Sequence, residues 1–218
     1  MVQNPKGGGL SSSFGGGGQQ MGGVQKTTDF LKHLCEICAA MGGHYLVHGS
    51  PKQRNIYPGQ TQAQALNLAQ EVLANVAQAA QSFGVTYCLE PLSADQTPLI
   101  NTVAQAATVV KQINNPFFKT MLDTSSAGLA ETLSMPELIE FWMPQGIMAH
   151  VQLNDPNRRA PGQGDMRFAP ILAALQRQAY SGVVAVEPFD YFPDGPGCAA
   201  WSAAYLKGLL ENDLARTP

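Results

Sequence analysis

The feature that most constrains the fold of this chain is a repeated pair of segments. A short run of β-branched and aromatic residues is followed each time by a longer stretch of helical period. The short runs are Tyr45–His48, Val85–Leu89, Phe118–Leu122, Ile147–Leu153 and Val183–Val186. Between and around them, helices are expected from Thr27 or Thr28 as N-cap to Gly42-Gly43, over about 62–83 with Gly84 as stop, and over 102–113. Others are expected from Pro136 to Trp142, over about 168–179, and over about 199–214. In the 62–83 stretch, Leu66, Ala69, Leu73, Val76, Ala77 and Ala80 recur on one face. Strands that alternate one for one with helices build a parallel sheet from βαβ units, so the fold class is α/β.

A second regularity lies on the first. A polar side chain stands at or near the C-terminal end of each strand: His48, Glu90, Asp123, His150 and Glu187. Period two places Cys88 with Glu90, Met121 with Asp123, and Ala185 with Glu187 on one face, while larger aliphatics take the other. In a closed (β/α) barrel such faces meet on the axis, and the strand C-termini form the mouth of the site. Buried Asp and Glu are rare unless paired or bound to a cation. Solvation of each carboxylate at a loop start is the plainer alternative, and it does not explain the recurrence. Glu90, Asp123, His150 and Glu187 together make an oxygen/nitrogen set suited to Mn²⁺, Co²⁺ or Mg²⁺ rather than structural zinc. A divalent cation would also cancel the repulsion among three carboxylates. His48 either lines this pocket or packs beneath it.

The stretch from His150 to Asp165 begins as a strand and breaks into a polar loop at Asp155-Pro156 and Pro161-Gly162. Its Arg158 and Arg159 are candidates for contact with a polyhydroxylated or anionic ligand. Lys52 and Arg54, in the loop after the first strand, either hold a phosphate or are solvated surface charge.

Composition narrows the classes of function. Charged residues make up 13% of the chain, hydrophobic ones 44%, and the net charge is −3, with no basic surplus to suit nucleic acid. No apolar run reaches the length of a membrane span, and no signal-peptide pattern opens the chain, so the cytoplasm is the default compartment. Cys35 and Cys38 are spaced like a zinc or redox pair but sit inside a helical pattern with no second pair, so core thiols are expected. Residues 1–23 are rich in Gly and Ser and are expected to be a flexible N-terminus ahead of one barrel-like domain, 24–218.

The segments LVHGSPKQRN, YCLEPLS, MLDTS, HVQLNDPNRRAPGQGD and VEPFDYFPD, in that order, resemble the sugar phosphate isomerase/epimerase family. These are xylose-isomerase-like TIM barrels, and they include ketose 3-epimerases and inosose-processing enzymes. The resemblance runs from about Thr28 to Leu210. It implies that Glu90, Asp123, His150 and Glu187 are the metal ligands and that Glu90 and Glu187 also move protons. One of Arg158 and Arg159 would contact substrate hydroxyls. The implied activity is a divalent-metal-dependent sugar or sugar phosphate isomerase or epimerase, working through a metal-stabilised enediolate.

Two departures stand out. Ser126 occupies a position, three after the Asp ligand, where the ketose epimerases commonly carry His. Only five strands can be counted, with room for one more, so an incomplete barrel of about five to six strands is expected. Its edges would be the strands at Tyr45 and Val183, its site would be open on one side, and self-association through those edges would follow. A truncated barrel that binds metal or a partner but turns over weakly is therefore the main alternative. A metal-dependent abasic-site endonuclease is more remote, since it needs more histidines and a basic track.

Overall fold

The computed structural model describes residues 19–214, with side chains placed for 24–211. The Gly/Ser-rich stretch expected to be flexible falls outside the described residues over 1–18. The elements run α1 (Gln19–Ala40), β1 (Tyr45–His48), α2 (Gln62–Phe83), β2 (Thr86–Leu89), α3 (Val103–Ile113), β3 (Phe118–Asp123) and α4 (Thr124–Ala130). They continue through α5 (Met135–Trp142), β4 (Met148–Gln152), α6 (Ala169–Arg177) and β5 (Val184–Ala185) to α7 (Gly195–Leu214). No helix among the described residues is long and apolar enough to cross a membrane.

The helices start where side chains can take up the free N–H groups. Thr61 with Gln64, and Thr102 with Gln105, form reciprocal capping boxes at α2 and α3. Ser134 with Glu137 does the same at α5, where Pro136 sits in the first turn. Gly84 ends α2 at φ 67°, a left-handed conformation that glycine adopts without strain.

Two starts differ from expectation. Helix α1 begins at Gln19, so Thr27 and Thr28 lie inside it, buried, rather than capping it. Internal glycines cost about 1 kcal/mol each in a helix; the packing of Val24, Leu31 and Cys35 against the core offsets that cost. Helix α4 was not anticipated. It exists because Asp123, the last residue of β3, accepts the Ser126 N–H through Oδ1 at 2.7 Å and so caps a helix directly.

The five strands form one parallel sheet in the order β1-β2-β3-β4-β5, so β1 and β5 are its edges among the described residues. The face toward the helices is apolar. Tyr87, Leu89 and Phe118 pack with Leu73, Val76 and Val110 in one cluster. Leu122, Val151 and Leu153 pack with Leu138, Ile139 and Ile171 in a second. Cys35, Cys88 and Cys198 are buried, Cys38 is half-buried, and all four are free thiols.

The sheet is curled. Tyr45 of β1 and His150 of β4 stack with ring centroids 5.9 Å apart. Three strand spacings in a flat sheet would separate those two strands by about 14 Å. The inner face is therefore concave, as in an incomplete (β/α) barrel.

Candidate metal centre

Curling brings the C-terminal strand ends together. Carboxylate oxygens of Glu90, just after β2, Asp123, at the end of β3, and Glu187, two residues past β5, lie within 4.8 Å of one another. Glu90 and Asp123 are buried and Glu187 is half-buried. The register sets Asp123 level with Gln152, and Gln152 level with Ala185, two residues before Glu187.

The three differ in how they are held. The Glu90 N–H donates to the His48 carbonyl at 3.2 Å, and the Glu90 carbonyl accepts from Arg54 Nη1 at 2.6 Å. Its carboxylate passes so close to Gly49 that a Cβ there would overlap Oε2. Asp123 offers Oδ1 to the Ser126 N–H and Oδ2 to Asn154 Nδ2, the latter at 2.6 Å. The Glu187 N–H donates to Asn154 Oδ1.

Burial dominates the electrostatics. It pushes the Glu90 carboxyl well above the usual carboxylate range, and the charges of Asp123 and Glu187 push the same way, against Arg54. Burial also raises Asp123, partly offset by the hydrogen bonds from Ser126 and Asn154. Three converging carboxylates with no cation between them are a high-energy arrangement, and a divalent cation fits that donor set.

The other expected residues fall elsewhere. His150 shares the inner face with Gln152 but stands one rung lower, about 7 Å back along the strand. It stacks on Tyr45 and is not in the carboxylate group. Gln152 occupies the rung level with Asp123. It is fully buried, and neither its Oε1 nor its Nε2 finds a partner among the described residues.

His48 shares the helix-facing side with Leu46, since the two pair with Leu89 and Tyr87, so of its two expected placements it takes the one beneath the pocket. Its Nδ1 lies 2.5 Å from the Tyr87 hydroxyl, and burial, then the Arg54 charge, lowers its pKa to about 3. It lines a cavity behind the sheet with Leu31, Leu73 and Leu89. Arg54 is buried there too, with its terminal nitrogens on the carbonyls of Glu90 and His48, so the reading of it as a phosphate or solvent-facing cation is corrected. Lys52 is exposed on the turn Pro51–Gln53.

The two arginines of the long loop separate clearly. Arg159 donates to Asp190 Oδ2 at 2.6 Å and lies against Phe192. Arg158 is exposed, with its guanidinium 4.3 Å from the centre of the Phe189 ring. Buried Asp155 shapes the loop by accepting N–H groups from Gly162, Gly164 and Met166.

The model of the xylose isomerase-like TIM barrel matches residues 5–209. The chain belongs to that family.

Within the xylose isomerase-like family, the chain is 34% identical over 119 residues to a D-psicose 3-epimerase of Ruminiclostridium cellulolyticum, a match covering 55% of this chain and 40% of that protein. It thus aligns with about two fifths of that curated relative. A solved D-psicose 3-epimerase in the presence of D-fructose superposes with a TM-score of 0.68 at 26% identity, covering 83% of this chain and 60% of the other. A solved L-ribulose 3-epimerase shares the fold with a TM-score of 0.76 at 19% identity, covering 95% and 76%.

Sequence reasoning missed Gln152 and Asn154. Period two from His150 marks Gln152 and Asn154 as sharing its face, which was the available signal. Amides at the start of a polar loop otherwise look like ordinary loop residues.

Proposed function

We propose that this chain holds one divalent cation between Glu90, Asp123 and Glu187, with Gln152 Oε1 as a further ligand, and moves a proton on a ketose there. The observation that carries this reading is the convergence of three carboxylates from separate strands of a curled sheet. The unpartnered amide of Gln152 supports it, since a buried amide oxygen without a hydrogen bond is costly unless something binds it. A set rich in oxygen suits Mn²⁺ or Mg²⁺, and Co²⁺ is accommodated as well. When bound, such a cation polarises a carbonyl and acidifies the neighbouring C–H.

The residues then divide the work. Glu90 and Glu187 approach from strands on either side of Asp123 and β4, so one can take a proton from carbon while the other returns one. Return to the same carbon from the opposite face gives epimerisation; return to the neighbouring carbon gives aldose–ketose isomerisation. Arg158, exposed at the mouth, donates to substrate hydroxyls, whereas Arg159 is tied to Asp190. His150 lines the floor below. The relatives' names, D-psicose and L-ribulose 3-epimerase, support a ketohexose or ketopentose as substrate.

The test is solvent-deuterium exchange into ketohexoses and ketopentoses with Mn²⁺, Co²⁺ or Mg²⁺, beside a Glu187→Gln control. Ion-dependent exchange lost in the control is expected. Absence of exchange with every ion contradicts turnover and favours a second reading, a barrel that binds a cation without efficient catalysis. The exposure of Tyr45, Val183 and Val184 at the two sheet edges supports that alternative.

A further inference from the structure

We infer that Asn154 is a positioning residue that sets Asp123 and Glu187 as a pair and thereby raises the affinity of the site for its cation. This rests on the cation site proposed above.

Asn154 follows β4 and is 1% exposed. Every polar group it carries is committed. Its main chain is locked to Thr124: the Asn154 N–H donates to Thr124 Oγ1 at 2.8 Å, and the Thr124 hydroxyl donates to the Asn154 carbonyl at 2.7 Å. Its side chain divides between two of the converging acids. Nδ2 donates to Asp123 Oδ2, and Oδ1 accepts the main-chain N–H of Glu187.

That division fixes the amide in one orientation, because the flipped form would set oxygen against carboxylate and N–H against N–H. It also spans three strand ends, β3, β4 and the exit of β5. Asp123 Oδ1 is already engaged by the Ser126 N–H, so the bond to Oδ2 fixes the rotation of the whole carboxylate. Each oxygen keeps a second lone pair for a cation. For Glu187 the bond fixes the backbone two residues beyond a strand of only two residues, Val184–Ala185, which among the described residues pairs with β4 alone. Partners of this kind, which orient ligands without touching the metal, typically set metal affinity by about 10–100-fold.

Isothermal titration of the full chain with Mn²⁺ tests this, using Asn154→Ala and, as a second change that puts a short hydroxyl in place of the amide, Asn154→Ser. Leu138→Ala, in the core on the helix side of the sheet, serves as a comparator of lowered stability. Both Asn154 variants are expected to bind Mn²⁺ about 10–100-fold more weakly, while Leu138→Ala melts earlier with unchanged affinity. Backbone amide exchange at Glu187, read without metal, should accelerate in the Asn154 variants only. Wild-type affinity in either folded Asn154 variant, or an equal loss in Leu138→Ala, overturns the inference and leaves the cation site standing. Failure of the wild-type chain to take up Mn²⁺ overturns both.

Discussion

Glu90 and Glu187 are the same residue type at the same distance past a strand end, give or take one residue, yet their surroundings differ sharply. Glu90 leaves an interior strand. Its neighbours β1 and β3 are both present, its carbonyl is clamped by buried Arg54, and its carboxylate is packed against Gly49. Glu187 leaves an edge strand of two residues, and Val184 in it and Val183 before it are exposed. Its backbone N–H donates to Asn154 Oδ1. A site assembled from repeated βα units is therefore not uniformly rigid. The acid in the interior is positioned by paired strands on both sides, and the backbone of the acid at the edge donates a hydrogen bond to the Asn154 amide. Burial accordingly destabilises the charged form of Glu90 strongly.

The largest effect should show no such asymmetry. If both acids carry protons, Glu90→Gln and Glu187→Gln each lower turnover by about 10²–10⁴-fold. Steady-state kinetics that spare one variant would break the pairing of roles. Positioning should then separate the two ends. Gly49→Ala forces a methyl group into the Glu90 carboxylate and is expected to weaken Mn²⁺ binding about 10–100-fold and to cost about 1–3 kcal/mol. A Cβ at Gly195, at the start of α7 on the β5 side, meets nothing within 4 Å. Gly195→Ala should stay within about 0.5 kcal/mol in denaturant titrations.

A third expectation concerns pH. An acid whose folded pKa lies above its unfolded value binds more protons when folded, so its contribution to stability falls as pH rises from the usual carboxylate range through the raised value. Without metal, Glu90→Gln should therefore melt above wild type at pH 8, and the gain should shrink toward pH 5. The comparison must be between variant and wild type. His48, held down to about pKa 3, and His150, also lowered by burial, add an opposite slope below about pH 6.5 in both proteins. A pH-independent difference would mean that Glu90 is not strained as its burial implies.

The smallest expected effect lies at the edge itself. Val184→Lys charges the exposed end of β5 and should reduce any concentration-dependent association seen by sedimentation, with stability changed by less than about 0.5 kcal/mol. Unchanged association would place the contact elsewhere.

The alternation of elements, the sheet order and the three carboxylates were legible because each rests on a local signal. The stop at Gly84, the helical period over 62–83, and period two in β2 and β3 each act within a few residues. What was not legible depends on contacts between distant segments. His48 was left open between lining the pocket and packing beneath it; nothing local chooses, and contact with Tyr87 on the helix side decides for the second. Arg54 reads as a surface cation in the sequence because nothing local reveals the carbonyls of His48 and Glu90 that bury it. His150 stands out as the metal-type residue of β4, yet a register irregularity between β3 and β4 and a distance of two residues put Gln152, not His150, level with Asp123.

The central claim is that one cation sits among Glu90, Asp123 and Glu187, with Gln152 beside it. Anomalous diffraction from crystals grown with Mn²⁺ tests it most directly. The account predicts one strong peak about 2.0–2.4 Å from an oxygen of each carboxylate and from Gln152 Oε1, with His150 still stacked on Tyr45. A peak bound to His150 instead of Gln152 would contradict the ligand assignment, and a peak elsewhere, or none at saturating Mn²⁺, would contradict the site.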